Sequence, residues 1–327
     1  MSTAIERTPI RKRGLQMIPV DQEKRHDEWL KIRRGYIGGS DAGAIIGMNP
    51  YASAFSVWAE KTGQVPEFQG NISTRTGTLL EDLVAKLFME ETGKKVQRLN
   101  FTIVNEKYPF ACANIDREII GEDAILECKT TNSFVNVKKF RTGEYPEQWY
   151  AQITHYLAVT GAKKAYLAVL SECRDFRIFE LERDEEEIKA LMEAEKEFWN
   201  KYVITKQTPP VDGHSATSET IKKMFQIETG DEADLTGFDD LFTRRKTLNE
   251  NIKNLKTELD GLDNRLKTAL GSRSTGICGR WKATWKLQNT SGLDREAIKA
   301  DYPEIDLKAY ATQARVLRIS EKKEKTA

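Results

Sequence analysis

The stretch from Pro109 to Thr131 constrains this chain more than any other. Residues 109–115 and 124–126 are mostly apolar, and both runs read as strands buried in a core. Between them stands Ile120-Gly121-Glu122-Asp123. Glycine at the first central position of a two-residue loop fits a type II′ hairpin turn. A turn centred on Gly121 and Glu122 makes paired positions sum to 243, which sets Asp116 opposite Glu127. Cβ atoms of directly opposed residues lie about 4.5–5.5 Å apart. Two carboxylates that close repel each other unless a cation lies between them. Alternate residues of a strand share a face, so Lys129 points the same way as Glu127. An ordinary hairpin with a solvated charged face would carry the same trio, but here the charges interrupt an apolar pattern.

Such a trio suits a hard divalent cation. Carboxylate oxygens with room for water suit Mg²⁺, with Mn²⁺ as a substitute. Asp116 and Glu127 are the expected ligands, helped by the backbone carbonyl of Cys128. A metal there would polarise a phosphate and make hydroxide available near neutral pH. Lys129 would deprotonate or orient the attacking water, or offset developing charge, and both roles stay open.

Two further groups bear on this site. Gly77-Thr78-Leu79-Leu80-Glu81 opens an amphipathic helix over 77–93 with Leu79, Leu80, Leu83, Val84, Leu87 and Phe88 as its apolar residues. Glu81 falls on that face, where a carboxylate is costly without a partner or metal; the alternative is an exposed helical glutamate. Gln152 and Tyr156 lie four apart on a helix over 146–160 and share a face. They can meet a phosphate or orient Lys129, or they form a pair at the edge of a core. His155 lies on another face and reads as structural.

The rest of the chain sets the architecture. Residues 1–20 read as a flexible basic arm without the apolar core of a signal peptide. Helical patterns cover 21–34, a capped short helix after Ser40-Asp41, 54–62 and 184–203, while 95–104, 109–119, 124–131, 163–170 and 174–182 are strand-like. This is a mixed α/β core with helices on both sides of a central sheet. Thr208-Pro209-Pro210-Val211-Asp212-Gly213 marks a linker, which bounds a core of 21–212 and an extension of 213–327. Within the extension, Leu241, Leu248, Leu255 and Leu262 recur every seven residues, with Ile252, Leu259 and Leu266 interleaved. That is a coiled-coil-type seam over 237–270, closed by Gly271. It packs on its own chain or joins an oligomer or partner. A small α/β end over 271–320 contains a strand over 276–288 with Trp281 and Trp285 exposed.

Of the 327 residues, 51 Lys+Arg nearly balance 50 Asp+Glu, so overall charge gives no case for nucleic acid. No apolar run reaches the roughly 18 residues of a membrane span. The four cysteines are widely spaced with no CxxC pair, which argues against zinc, iron–sulfur clusters and a disulfide framework.

Four blocks, in order, then carry a resemblance. They are Trp29 through Arg33, Gly35 and Ser40-Asp41; Gly77 through Glu81; Asp116 with Glu127-Cys128-Lys129; and Gln152 with Tyr156. Together they resemble the phage YqaJ-type recombinase nucleases, relatives of lambda exonuclease in the PD-(D/E)xK superfamily, over about residues 25–205. The resemblance implies a restriction-endonuclease-like core with a mixed sheet flanked by helices. It implies a Mg²⁺-dependent enzyme that degrades double-stranded DNA from its ends, 5′ to 3′, in the host cytoplasm. The 3′ overhang would pass to a single-strand annealing protein in phage recombination. By position, Glu81, Asp116, Glu127 and Lys129 become the catalytic set. Arg33 and Ser40 fall where relatives bind the 5′-phosphate, and Gln152 and Tyr156 match the QxxxY element. Relatives form toroidal trimers, so a homo-oligomer is implied. Ile115 stands where the superfamily has a proline. The alternatives are an endonuclease of the same fold in repair or restriction, and a non-catalytic DNA-end scaffold.

Overall fold

The structure, a computed structural model, describes residue 10 and residues 13–19, 31–66, 70–132, 134–287 and 295–305. It divides into two compact units, 1–226 and 227–327.

The first unit runs β1 (Gln16–Pro19), β2 (Ile37–Gly38), α1 (Gly39–Ile45), α2 (Ala54–Lys61), α3 (Ile72–Thr92), β3 (Val96–Gln97), β4 (Phe101–Val104), β5 (Ala111–Ala113), β6 (Arg117–Ile119) and β7 (Ala124–Thr131). It continues with α4 (Phe134–Arg141), α5 (Glu147–Thr160), β8 (Lys164–Ser171), β9 (Asp175–Glu182), α6 (Glu185–Phe198), a π-helical stretch Trp199–Ile204 and α7 (Ser215–Met224). One sheet has the order β3-β6-β7-β8-β9, and the other β1-β4-β5-β2. In the five-stranded sheet only β7 and β8 are parallel, so the sheet is mixed.

The period-two pattern of β7 and β8 divides the core. Ala124, Leu126, Tyr166, Ala168 and Leu170 pack on Val84, Ala85 and Phe88 of α3. Ile125, Leu167 and Val169 face the other way, into a cluster with Ile153 and Leu157 of α5. Helices therefore cover both faces of the five-stranded sheet, as the α/β expectation requires. Asn71 caps α3 by accepting the Thr74 amide at 3.0 Å, and Gly93 ends it with φ 69°.

Several expectations need correction. Residues 1–20 are not all a flexible arm: β1 pairs with β4, Ile10 is buried, and the Ile10 amide donates to Glu118 Oε1 at 2.7 Å. The runs 95–104 and 109–119 each break in two, because β3 and β6 belong to one sheet and β4 and β5 to the other. Leu79 and Leu83 are exposed, so the buried stripe of α3 is narrower than its leucines suggest. The first unit runs past Gly213 to Gln226, because α7 packs on α2 and Thr217 Oγ1 donates to Ser53 Oγ at 2.7 Å. The helix near Ser40 begins at Gly39 with Gly38 as its N-cap, so Ser40 is not the cap. The helical pattern over 21–34 is described only from residue 31, where residues 31–34 are helical.

In the second unit, α8 (Asp239–Leu270) carries the heptad seam and is followed by β10 (Thr275–Cys278), β11 (Trp281–Thr284) and α9 (Arg295–Asp301). The strand expected over 276–288 is a two-stranded hairpin, turned at Gly279 with φ 54°. Leu270 is the only buried residue of α8, and the residues of the heptad seam are exposed. Of the small α/β end expected over 271–320, the described residues are 271–287 and 295–305.

Candidate active site

The hairpin between β6 and β7 adopts the register expected. Arg117 pairs with Leu126 and Glu118 with Ile125, each pair summing to 243. Gly121 takes φ 83°, the sign that its place in the turn needs. One step along, Asp116 leaves the ladder and turns its side chain onto the partner strand. Its Oδ2 accepts the Cys128 amide at 2.7 Å.

Glu127 follows Ile125 on the face toward α5. It is 3% exposed. Its Oε1 accepts two hydrogen bonds, from Lys129 Nζ at 2.7 Å and Gln152 Nε2 at 2.8 Å. Gln152 Nε2 also donates to Tyr156 Oη at 3.0 Å. The i,i+4 pair on α5 is thus an orienting wall for the carboxylate. Among the described residues, Glu127 Oε2 has no hydrogen-bond partner although it is buried.

The electrostatics follow from that packing. Burial first, then the Glu127 and Glu81 carboxylates, hold the Asp116 carboxyl well above its usual range. Burial also raises Glu127, with Lys129 opposing and Glu81 adding. Burial alone would lower the Lys129 ammonium, but Glu127 and Asp116 outweigh it and raise its pKa. Burial and the same two carboxylates push the Tyr156 phenol well up, which keeps it a neutral hydroxyl.

Glu81 lies on the edge of this centre. It is neither solvated nor free: its Oε1 accepts from Arg98 Nη2 at 3.0 Å and from Arg117 Nη1 at 2.5 Å. Arg117 also donates to Asp82 and to the Asp116 carbonyl. These two arginines went unread in the sequence. The available signal was Arg117 itself, a cation that starts a buried strand beside Asp116.

Arg33 and Ser40 meet in a second cluster. Arg33 Nη2 donates to Ser40 Oγ and lies 3.6 Å from Asp41 Oδ1. Asp41 Oδ2 accepts from Lys61 Nζ at 2.8 Å and from the Gly38 amide at 2.9 Å. Burial would raise the Asp41 carboxyl, but Lys61 and Arg33 bring it down to about 2. Lys61 also donates to the Arg33 carbonyl at 3.0 Å. Asp41 entered the sequence reading only beside Ser40 in its motif, and Lys61 did not enter it; the signal was a lysine one turn after Trp58 on the buried face of α2. The two clusters adjoin at Gly39, where a Cβ would fall 2.4 Å from Tyr156 Cε1.

His155 is structural, as its face on the helix suggested. Its Nδ1 is 2.8 Å from Glu195 Oε1 and its Nε2 is 2.9 Å from the Cys112 carbonyl.

The residues present fit a divalent cation in one respect, the bare buried oxygen of Glu127 beside a second carboxylate. The fit rests on that pair: among the described residues no three His, Cys, Asp or Glu side chains are grouped as a metal's ligands would be. The third acidic residue, Glu81, is engaged by arginines.

Fold and site together define a mixed α/β protein with a buried paired-carboxylate centre on a hairpin. The YqaJ-like viral recombinase domain matches residues 28–163, which include every residue of that centre. The uncharacterised protein YqaJ of Bacillus subtilis (strain 168) is 38% identical over 295 residues, 89% of this chain and 92% of that protein. The chain belongs to the YqaJ family. Among solved structures, it is similar to an alkaline exonuclease from Laribacter hongkongensis (TM-score 0.48, 19% identity, 55% of this chain and 93% of that one). A phage-related exonuclease from Haemophilus somnus gives a TM-score of 0.42 and 14% identity, covering 55% of this chain and all of that one.

Proposed function

We propose that this chain is a divalent-metal-dependent deoxyribonuclease that degrades double-stranded DNA from its ends, 5′ to 3′. The observation that carries the reading is the buried Glu127 Oε2, without a hydrogen-bond partner among the described residues, beside Asp116 and Lys129. Asp116 and Glu127 would hold Mg²⁺ or Mn²⁺, with the Cys128 carbonyl as a further oxygen. When bound, such an ion polarises a phosphate and lowers the pKa of a water. Gln152 and Lys129 fix the Glu127 carboxylate from two sides, so it need not reorganise during the reaction. The raised pKa of Lys129 keeps it cationic at neutral pH, which favours charge stabilisation over general-base work. Glu81 tightens the negative field at Asp116, and Tyr156 is a neutral donor on the same wall. Arg33 and Ser40 would receive the terminal 5′-phosphate, since a guanidinium offers several donors to one phosphate group. The 3′ strand left behind would suit a single-strand annealing protein, and a trimer in the host cytoplasm belongs to the same reading.

The test uses linear duplex with a 5′-phosphate, the same duplex with a 5′-hydroxyl, and covalently closed circles. Mg²⁺-dependent nucleotide release from the linear duplex alone is expected. It should be lost in Asp116→Ala and Lys129→Ala, and the 5′-phosphate preference should be lost in Arg33→Ala. Nicking of closed circles would support an endonuclease instead. DNA-end binding without Mg²⁺-dependent cleavage would support a scaffold.

A further inference from the structure

Helix α8 exposes a heptad seam that is apolar at every position named but Arg245. Leu241, Leu248, Ile252, Leu255, Leu259, Leu262 and Leu266 are each between 43% and 66% exposed. A helix of 32 residues with this stripe uncovered is the half of an interface. The spacing assigns Leu241, Leu248, Leu255 and Leu262 to d positions, and Arg245, Ile252, Leu259 and Leu266 to a positions.

We infer that α8 pairs antiparallel with α8 of a second copy of this chain. Arg245 decides the orientation. In a parallel pair, a faces a, so two Arg245 guanidinium groups would share one interior layer with like charge. The flanks would also set Glu258 against Asp263 of the second copy, twice over. In an antiparallel pair, a faces d, and each Arg245 meets Leu262 of the second copy. The register with fullest overlap then stacks Leu241 on Leu266, Leu248 on Leu259 and Ile252 on Leu255. Its flanks bring Asn251 beside Glu258 and Asn249 beside Lys256; Arg244 beside Arg265 is its one like-charged contact, and both lie at the solvated edge. A register shifted by one heptad would pair Arg244 with Glu258 but leave Leu266 bare. Covering leucine outweighs a solvated ion pair. The surface is self-complementary, as a two-fold interface must be.

The experiment uses the full chain with the exposed Cys173 and Cys278 replaced by serine. Leu241→Cys/Leu266→Cys should form a covalent dimer on mild oxidation, whereas Leu241→Cys alone should not. Ile252→Lys/Leu255→Lys should about halve the mass measured by light scattering, because the pairing joins copies two by two, whether as single chains or as the trimers proposed above. A disulfide dimer from Leu241→Cys alone overturns the orientation. A double-lysine variant of the parent's mass, with no cross-link in the double-cysteine chain, overturns the pairing. The latter result would mean that another segment of this chain or a different protein covers the seam.

Discussion

Gln152 donates to Glu127 Oε1 at 2.8 Å from α5, the helix that covers the sheet face on which Glu127 stands. The same oxygen takes Lys129, so one lobe of the carboxylate is saturated while Oε2 has no partner among the described residues. The orientation of the candidate metal ligand is thus set by a side chain 25 residues away in sequence.

Gln152→Ala should keep the fold and lower kcat about ten- to a hundred-fold, the usual effect of removing a group that orients a metal ligand. Initial rates on linear duplex, with circular dichroism as the fold control, check this. A parent-like rate would mean that Lys129 alone orients Glu127.

Metal and pH should act on stability together. The Asp116 and Glu127 carboxyls titrate above their unfolded values, so between those values the folded chain holds protons that the unfolded chain has released. Stability without divalent cation therefore falls as pH rises from about 4 through the raised folded values. Asp116→Asn removes one charge and should raise the metal-free Tm at neutral pH by a few degrees, about 2–4 °C per kcal/mol for a unit of this size. Added Mg²⁺ should raise the parent's Tm more than the variant's. Thermal unfolding with and without Mg²⁺ reads both effects, and equal shifts would count against Asp116 as a ligand.

Gly39→Ala should destabilise the chain by about 1–3 kcal/mol, the range for overpacking a close-packed site. The added methyl would lie 2.4 Å from Tyr156 Cε1, and the ring has Gln152 beside it. In a Tyr156→Ala background the same substitution should cost much less, a coupling that a double-mutant cycle in urea would read. Additive costs would show that the turn yields elsewhere.

Glu195→Gln tests the buried His155 pair. Burial would lower the His155 pKa, but Glu195 outweighs it and the value is raised. Stabilisation by the charged imidazole is thus fully present below the unfolded value of about 6.5 and is lost as pH rises through the folded one. Removing one partner of a buried pair costs about 3–5 kcal/mol. The loss in Tm should be larger near about pH 6 than near about pH 9, and a pH-independent loss would argue that the imidazole is neutral throughout.

Much of this protein is legible in its sequence, because local physics writes it there. Apolar alternation and a glycine with positive φ set the β6–β7 register, so Asp116, Glu127 and Lys129 could be grouped before any fold was known. The i,i+4 spacing of Gln152 and Tyr156, and the seven-residue recurrence in α8, are equally local. What tertiary structure alone decided is whatever depends on an approach between distant segments. The strand-like runs 95–104 and 109–119 gave no sign of dividing between two sheets, since each half has the same apolar period. Arg98 looks like an ordinary surface cation, and Arg117 has no visible partner, until α3 brings Glu81 to them. Lys61 and Asp41 are charges on short helices until their packing places them 2.8 Å apart. Periodicity reports which face of an element is buried, but not which buried face meets it; that choice is made by the summed packing of the whole core.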